Sequence, residues 1–491
     1  MRKKQTKRLV LILSSICVFF VVMFFFWNKT SHPIAFIVVN VTLAVLSTWS
    51  FMLYKKDNKL VNGKFLVAMS FIITYPVSAL FHFIGEQESS RGFFDIVRVS
   101  GDYPEANLYF AIMLMIVAAL CLWYPLHKDG KKDIKGQPEV YINTTLLFAL
   151  GAIFTVLGLL GTFLLFSDSY SIVQEISRVD RAREIAAGGA KYYFMSRWLS
   201  WGLTFIAIGI LKKTERNISI FAYGFTAMII FTVLMNTRWA GGRSEGLLGV
   251  LPLLIIISRT MPKLQTKINN NAVFVLVVYI IYITAERRGQ VADAYTSIVS
   301  FFDWQAGRFS MIGLSIEMVQ NYGYAYGKTF LEGIIATINA PFILLKLPSL
   351  LPQATGITNV VGGYLFNDST VTGVVPGIIL ELYYNFGIVG VAVGFYLIGK
   401  FAAACTRAVD TGTTVGEVLL SSYCLILICT SIIPGTSSIW VYLLITLGLP
   451  AICLYSVERI FKNRVNKRSR LLKTDTMRRH DGTSLYGKSL S

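Results

Sequence analysis

Charge is scarce in this chain. Only 15% of its 491 residues are charged, and just 27 are acidic. A soluble globular chain is nearer a quarter charged, so an ordinary soluble fold is excluded. Histidine is scarce as well: four residues, scattered, form no ligand cluster, and no Asp-x-Asp occurs anywhere. The sequence therefore carries no metal-ligand motif and implies no metal or other cofactor. The six cysteines (Cys17, Cys121, Cys405, Cys424, Cys429 and Cys453) all lie in or beside apolar runs, which excludes a disulfide framework. There is also no repeat of 20–50 residues, which excludes a solenoid.

What the chain has instead is apolar sequence: 54% of its residues are hydrophobic and its mean hydropathy is +0.58. Runs long enough to cross roughly 30 Å of hydrocarbon recur along its length. They predict twelve helical spans near 9–27, 34–54, 65–84, 108–127, 144–166, 198–211, 218–235, 246–258, 271–284, 378–399, 418–433 and 437–456. The fold class is thus an all-α polytopic membrane protein, one integral domain over residues 1–456 with a long polar loop at 285–377. A basic tail follows over 457–491. The first run comes after MRKKQTKR and could be a signal peptide. It is followed by no small-residue cleavage site and contains bulky Phe24–Trp27, so it reads as an uncleaved anchor.

The net charge of +19 does not point to nucleic acid, because its distribution follows the spans. With the N-terminus in the cytoplasm, the cytoplasmic segments hold 31 of the 46 Lys+Arg and 10 of the 27 Asp+Glu. Short connections decide orientation, and Lys55, Lys56, Lys59 and Lys64, then Lys128, Lys131, Lys132 and Lys135, then Lys212, Lys213 and Arg216 all fall inside. Both termini are expected in the cytoplasm, with the tail against anionic lipid heads. The long loop then faces outward.

Three outward segments carry the polar chemistry: Ser167–Arg197, Asn236–Glu245 and the long loop. Within the loop, Phe309, Ile312, Ile316 and Val319 recur on one helical face, predicting a helix over 303–320. Residues 329–351 are apolar but interrupted by Pro341 and Pro348, a pattern that suits a helix lying on the membrane or dipping into it. The outward segments are rich in arginine, including Arg178, Arg243 and Arg308. Guanidinium forks match phosphate oxygens in pairs, and a metal-free site for a diphosphate would need them. The competing reading makes them interfacial anchors or ion pairs, as Asp180 and Glu184 suggest for Arg181 and Arg183. Arg243 follows two glycines at the mouth of a span, where a ligand can approach backbone closely; a snorkelling helix-end arginine would look the same.

Glu381 is the one acid placed inside a span, with Tyr383 and Asn385 beside it. An intramembrane acid is costly and is more often functional than decorative. It could accept a proton from a hydroxyl or orient an arginine, and the orienting or sugar-binding role is favoured. His82 reads as a satisfied polar residue of the bundle. Gly387, Gly390, Gly394 and Gly399 read as helix-packing positions. Tyrosines and tryptophans crowd the outer segments, where an interfacial belt accounts for most of them, although such rings also stack on sugars.

These residues resemble a known family. Gly323–Pro341 (GYAYGKTFLEGIIATINAP) and Pro376–Phe401 look like the bacterial oligosaccharide repeat-unit polymerases of Wzy type, which make O-antigen and capsule. Gly241–Leu248 (GGRSEGLL) is similar to the family's glycine-arginine-serine segment, and Arg178 with Gly189 resembles its arginine–glycine motif. A second copy of that motif does not fit, since Val319 stands eleven residues after Arg308. The resemblance implies a GT-C-like, metal-independent, inverting glycosyltransferase acting on undecaprenyl-diphosphate-linked oligosaccharides at the outer face of the bacterial cytoplasmic membrane. It implies Glu381 and Arg243 as catalytic residues, and Arg178, Arg308, Asn385 and Tyr383 as substrate-binding ones. A chain-length regulator and a flippase would be its partners. A lipid-linked oligosaccharide flippase and an O-antigen ligase are the alternatives.

Overall fold

The computed structural model describes residues 32–57, 63–85, 105–128, 139–175, 190–213, 308–344, 347–352, 356–366, 376–432 and 448–462, with residues 255, 259 and 444. Apart from one isolated bridge between Tyr141 and Thr414, the regular structure of these residues is helical. In chain order they form α1 (Pro33–Asp57), α2 (Gly63–Ile72), a π-helical turn (Ile73–Val77) and α3 (Ser78–Gly85). Next come α4 (Glu105–Lys128), α5 (Thr144–Glu175), α6 (Ala190–Lys213), α7 (Phe309–Tyr322), α8 (Lys328–Leu344) and α9 (Ile357–Phe366). The set ends with α10 (Ile378–Thr411) and α11 (Val415–Ile432). Residues 449–462 form a last helical stretch.

Six of these stretches are long and apolar enough to cross a bilayer: Pro33–Leu53, Gly63–Phe83, Asn107–Lys128, Thr144–Leu164, Ile378–Thr411 and Val415–Ile432. They coincide with six of the expected spans, and the architecture is that of an all-α membrane protein. The expected run at 198–211 lies in α6, whose apolar part is Phe194–Ile210. The expected spans at 9–27, 218–235 and 271–284 lie outside the described residues; the one at 246–258 is described only at Ile255, and the one at 437–456 almost wholly beyond its first half.

Between helices surrounded by lipid the hydrophobic effect adds little, so close packing must hold the bundle. Small residues make that possible. Gly158 and Gly202 let α5 and α6 pack backbone to backbone: a Cβ at Gly158 would strike Leu199, and one at Gly202 would strike Thr155. In the main core Phe71 of α2 meets Trp123 of α4 and Phe395 of α10 edge-on, at 5.5 and 5.4 Å between ring centroids. Such edge-to-face pairs add about 0.5–1.5 kcal/mol each beyond area burial.

Two breaks shape the interior. Pro76 has no N–H to give, and the ladder widens into the π turn around it. The carbonyl of Thr74 accepts the backbone N–H of Arg308 at 2.7 Å, and Ser78 Oγ accepts that of Phe309 at 3.2 Å. Thr74 stands near the middle of the 21-residue span Gly63–Phe83. Helix α7 therefore starts deep in the bundle and climbs out of it. The predicted helix here is found, with Phe309, Ile312 and Ile316 buried. Residues 303–307 lie outside the described set.

The second break is Gly387, at φ 65° and ψ −156°, inside α10. A straight helix would hold residues 382 and 394 roughly 18 Å apart. Instead a Cβ on Gly394 would lie 2.6 Å from the Leu382 side chain. Tyr75, one turn from Phe71, bonds the start of α10 while Phe71 packs on Phe395. The arm Ile378–Phe386 thus folds back on the long arm that follows, and Gly387 is the bend. The sequence pattern predicts one uninterrupted span at 378–399; the structure has a helical hairpin with a crossing arm running to Thr411. A further difference concerns Pro341, which α8 passes through to end at Leu344. The helices seen to start inside the bundle are α7 and the first arm of α10.

Candidate functional site

The two interior-starting helices share a base. Tyr75 Oη donates to the carbonyl of Ile432 and accepts the N–H of Ile379, both at 3.2 Å, so one hydroxyl ties the end of α11 to the start of α10. Arg308, 8% exposed, precedes α7, and its Cβ and Cγ pack against Gly377, the residue before α10. Both helix N-termini, with their partial positive charge, therefore open beside one buried guanidinium at mid-depth. That cationic locus is what a bilayer core disfavours most, and interrupted backbone is found there only under cover of protein or a water-lined cavity.

One turn along from Gly377 stands Glu381, fully buried. Thr329 of α8 donates its hydroxyl to Glu381 Oε1 at 3.3 Å. Asn385 Nδ2 donates to Thr329 Oγ1 at 2.7 Å and to the Glu381 carbonyl at 2.6 Å. The carbonyl partner fixes the amide's orientation, because a flipped amide would set oxygen against oxygen. Asn385 Oδ1 is left buried without a hydrogen-bond partner. An unmet acceptor in a dry interior costs about 1–3 kcal/mol, which marks this as a place where a donor from outside would be welcome.

Among the expected site residues, the structure brings together Glu381, Asn385 and, at the base of the same arm, Arg308. Tyr383 belongs to another face: Glu381 and Asn385 are four residues apart and share a side, whereas Tyr383 packs against Phe110 of α4 and Tyr324, at 5.7 and 6.2 Å between centroids. Arg178 and Arg243 lie outside the described residues. His82 packs its ring against Phe83 and Phe309, as a bundle residue would. Thr329, the link between α8 and the hairpin, escaped the sequence reading. Its only signal is a hydroxyl residue opening an apolar run, which many helices share.

Above this network the chain turns from α7 to α8 through Gly323–Gly327, and Ala325 N–H donates to the carbonyl of Tyr384 at 2.9 Å. Tyr322, Tyr324 and Tyr326 stand exposed there. Tyr364 of α9 donates to Glu317 Oε1 at 2.6 Å and accepts from Asn321 Nδ2 at 2.8 Å. Burial first, and then that bond to Glu317, push the Tyr364 hydroxyl up to about 12, so it stays a donor at physiological pH. Among the described residues, no three His, Cys, Asp or Glu side chains come close enough to hold a metal ion. The arrangement offers cationic stabilisation at the base, a buried acid–amide–hydroxyl relay in the middle and aromatic rings at the top.

Compared with known proteins, the chain matches no family model, no curated sequence and no solved structure.

Proposed function

We propose that this protein polymerises undecaprenyl-diphosphate-linked oligosaccharide units at the outer face of the bacterial cytoplasmic membrane, for capsule, exopolysaccharide or O-antigen. In this reading it is a twelve-span, GT-C-like glycosyltransferase with both termini in the cytoplasm. A hydroxyl of one repeat unit attacks the anomeric carbon of the growing chain and inverts it. The bond to the diphosphate breaks, undecaprenyl diphosphate leaves, and the hydroxyl's proton passes to the leaving group or solvent.

The observation that carries the reading is the hairpin arm Ile378–Phe386 with α7 beside it. It sets Arg308 and two helix N-termini at one base, and the Glu381–Thr329–Asn385 relay one turn above. A leaving diphosphate needs fixed positive charge, and a preorganised donor of that kind is worth roughly 100- to 1,000-fold in rate. Glu381, held by Thr329, orients the acceptor hydroxyl, while Arg178 and Arg243 complete the outward charge. Broken helices that start at mid-depth also occur in secondary transporters, which favours a flippase as the second reading. Such carriers usually carry internal repeats and paired broken helices with ionisable residues near mid-depth, of which this sequence offers only Glu381 and His82.

The test is incubation of the purified protein with lipid-linked repeat units. A ladder of longer chains is expected, and Arg243→Ala should abolish it without loss of expression. No ladder alongside a positive flipping assay would replace the polymerase by a transporter. An undiminished ladder from Arg243→Ala would remove that residue from the site.

A further inference from the structure

Three of the five residues in the turn between α7 and α8 have positive φ: Gly323 at 77°, Tyr326 at 47° and Gly327 at 86°. Glycine tolerates this and tyrosine does not, so Tyr326 holds its conformation at a cost of order 1–3 kcal/mol. The strain gains little packing inside the protein, because Tyr326 is 82% exposed. Its ring meets that of Tyr324 at 65° and 6.3 Å, and Tyr322 meets Tyr364 at 83° and 5.6 Å. Each pair makes a corner, and Tyr322 and Tyr326 in them are largely exposed. The second corner carries polar groups on its edge: Glu317 and Asn321, one turn apart on α7, hold the Tyr364 hydroxyl between them.

We infer that the rings of Tyr322, Tyr324, Tyr326 and Tyr364, edged by Glu317 and Asn321, form a binding platform for uncharged sugars, seating pyranose units of the oligosaccharide that the hairpin site processes. The apolar C–H face of a pyranose stacks on a tyrosine ring, while a carboxylate and an amide take its hydroxyls. An ionised carboxylate has acceptor capacity beyond the one bond from Tyr364, and its charge opposes uronic acids. An interfacial belt calls only for amphipathic rings at the level of the lipid headgroups. It does not call for a strained turn that lifts one ring clear of the chain, or for a carboxylate and an amide fixed on a ring's hydroxyl. Placing the sugar on a lipid-linked chain rests on the polymerase reading; the binding itself does not.

The experiment is saturation-transfer NMR on the full-length protein in nanodiscs. The probes are neutral oligosaccharides (hexose, N-acetylhexosamine and 6-deoxyhexose) beside an oligogalacturonate. Transfer to at least one neutral probe and less to the acidic one is expected. Tyr324→Ala and Tyr326→Ala should each weaken binding about tenfold, the equivalent of roughly 1.4 kcal/mol, while Tyr324→Phe and Tyr326→Phe retain it. No transfer from any probe, equal binding by the alanine variants, or preference for the acidic probe would overturn the platform. The two readings fail separately. Sugar binding with no polymer ladder leaves the platform standing and removes the polymerase. A ladder whose acceptor KM is unchanged in Tyr324→Ala and Tyr326→Ala does the reverse.

Discussion

Glu381 was conspicuous in the sequence because an acid in an apolar run has few structural excuses, and the structure finds it fully buried and bonded. Thr329 was invisible for the opposite reason: a threonine at a helix start is ordinary, and its meaning depends on a partner 52 residues away. Glu458 shows how far one buried acid can be taken from its surroundings alone. It lies past the last expected span, 6% exposed, with Oε2 accepting the N–H of Gly416 at 2.6 Å. Desolvation chiefly raises its pKa above 4.5, and Glu417 adds to the rise; bonds from Thr414 and Gly416 and the charge of Lys462 work against it. The folded state therefore holds this proton more tightly than the unfolded chain does. Stability from this residue is present below pH 4.5 and is lost as pH rises through the folded-state pKa. Glu458→Gln should remove that component, leaving a flatter dependence of melting temperature on pH as pH rises from about 4.5. Thermal melts in detergent across that range would check it, and identical slopes for the two proteins would sink it.

At the scale of an element, the hairpin in α10 is the feature that hydropathy could not reveal. Residues 378–399 are apolar throughout apart from Glu381 and Asn385, and a window average reports composition rather than direction. The glycines were visible, and packing was the right reading for three of them. Gly390 and Gly394 admit the folded-back arm, and Gly399 lies against Leu122 and Pro125 of α4. Gly387 does something else. Its φ of 65° with ψ of −156° belongs to a region that essentially only glycine enters. A Cβ there would also press on Tyr324 at 3.3 Å. Gly387→Ala should therefore cost about 1–3 kcal/mol and lower the melting temperature. Gly399→Ala should also destabilise, but by opening the α4 contact rather than the bend. A cross-link between cysteines placed at Leu382 and Gly394 separates the two cases. It should form in the parent and in Gly399→Ala but fade in Gly387→Ala. An undiminished cross-link in Gly387→Ala would mean that the bend does not depend on glycine.

Across the whole molecule, residues distant in sequence gather at two ends in the pattern that alternating crossings require. At one end Tyr141 N–H donates to Thr413 O at 2.8 Å, and Arg259 caps the carbonyls of Val409 and Asp410 at 3.1 and 2.6 Å. Lys462 donates to Thr413 Oγ1 at 3.1 Å there as well. At the other end Gln320 Nε2 reaches Asn107 Oδ1 at 3.4 Å, and the tyrosine turn rests on Tyr384. Each set comes from connections that the positive charges assign to a single face, while several of the expected spans between them lie outside the described residues. Lysines and arginines on the short connections predict which face is which, because translocating them against the membrane potential is costly. The orientation is therefore testable with two exposed positions at opposite ends: Tyr326, 82% exposed, and Lys462, whose side chain is 51% exposed. In a background with the six cysteines replaced by serine, Tyr326→Cys in intact cells should react with a membrane-impermeant maleimide. Lys462→Cys should react only after the membrane is opened. The reverse pattern would turn the molecule over and put the hairpin site on the cytoplasmic side, away from any lipid-linked chain in the outer leaflet. Labelling of both from outside would break the odd count of crossings, three by the expected spans, that separates residue 326 from an inward-facing tail.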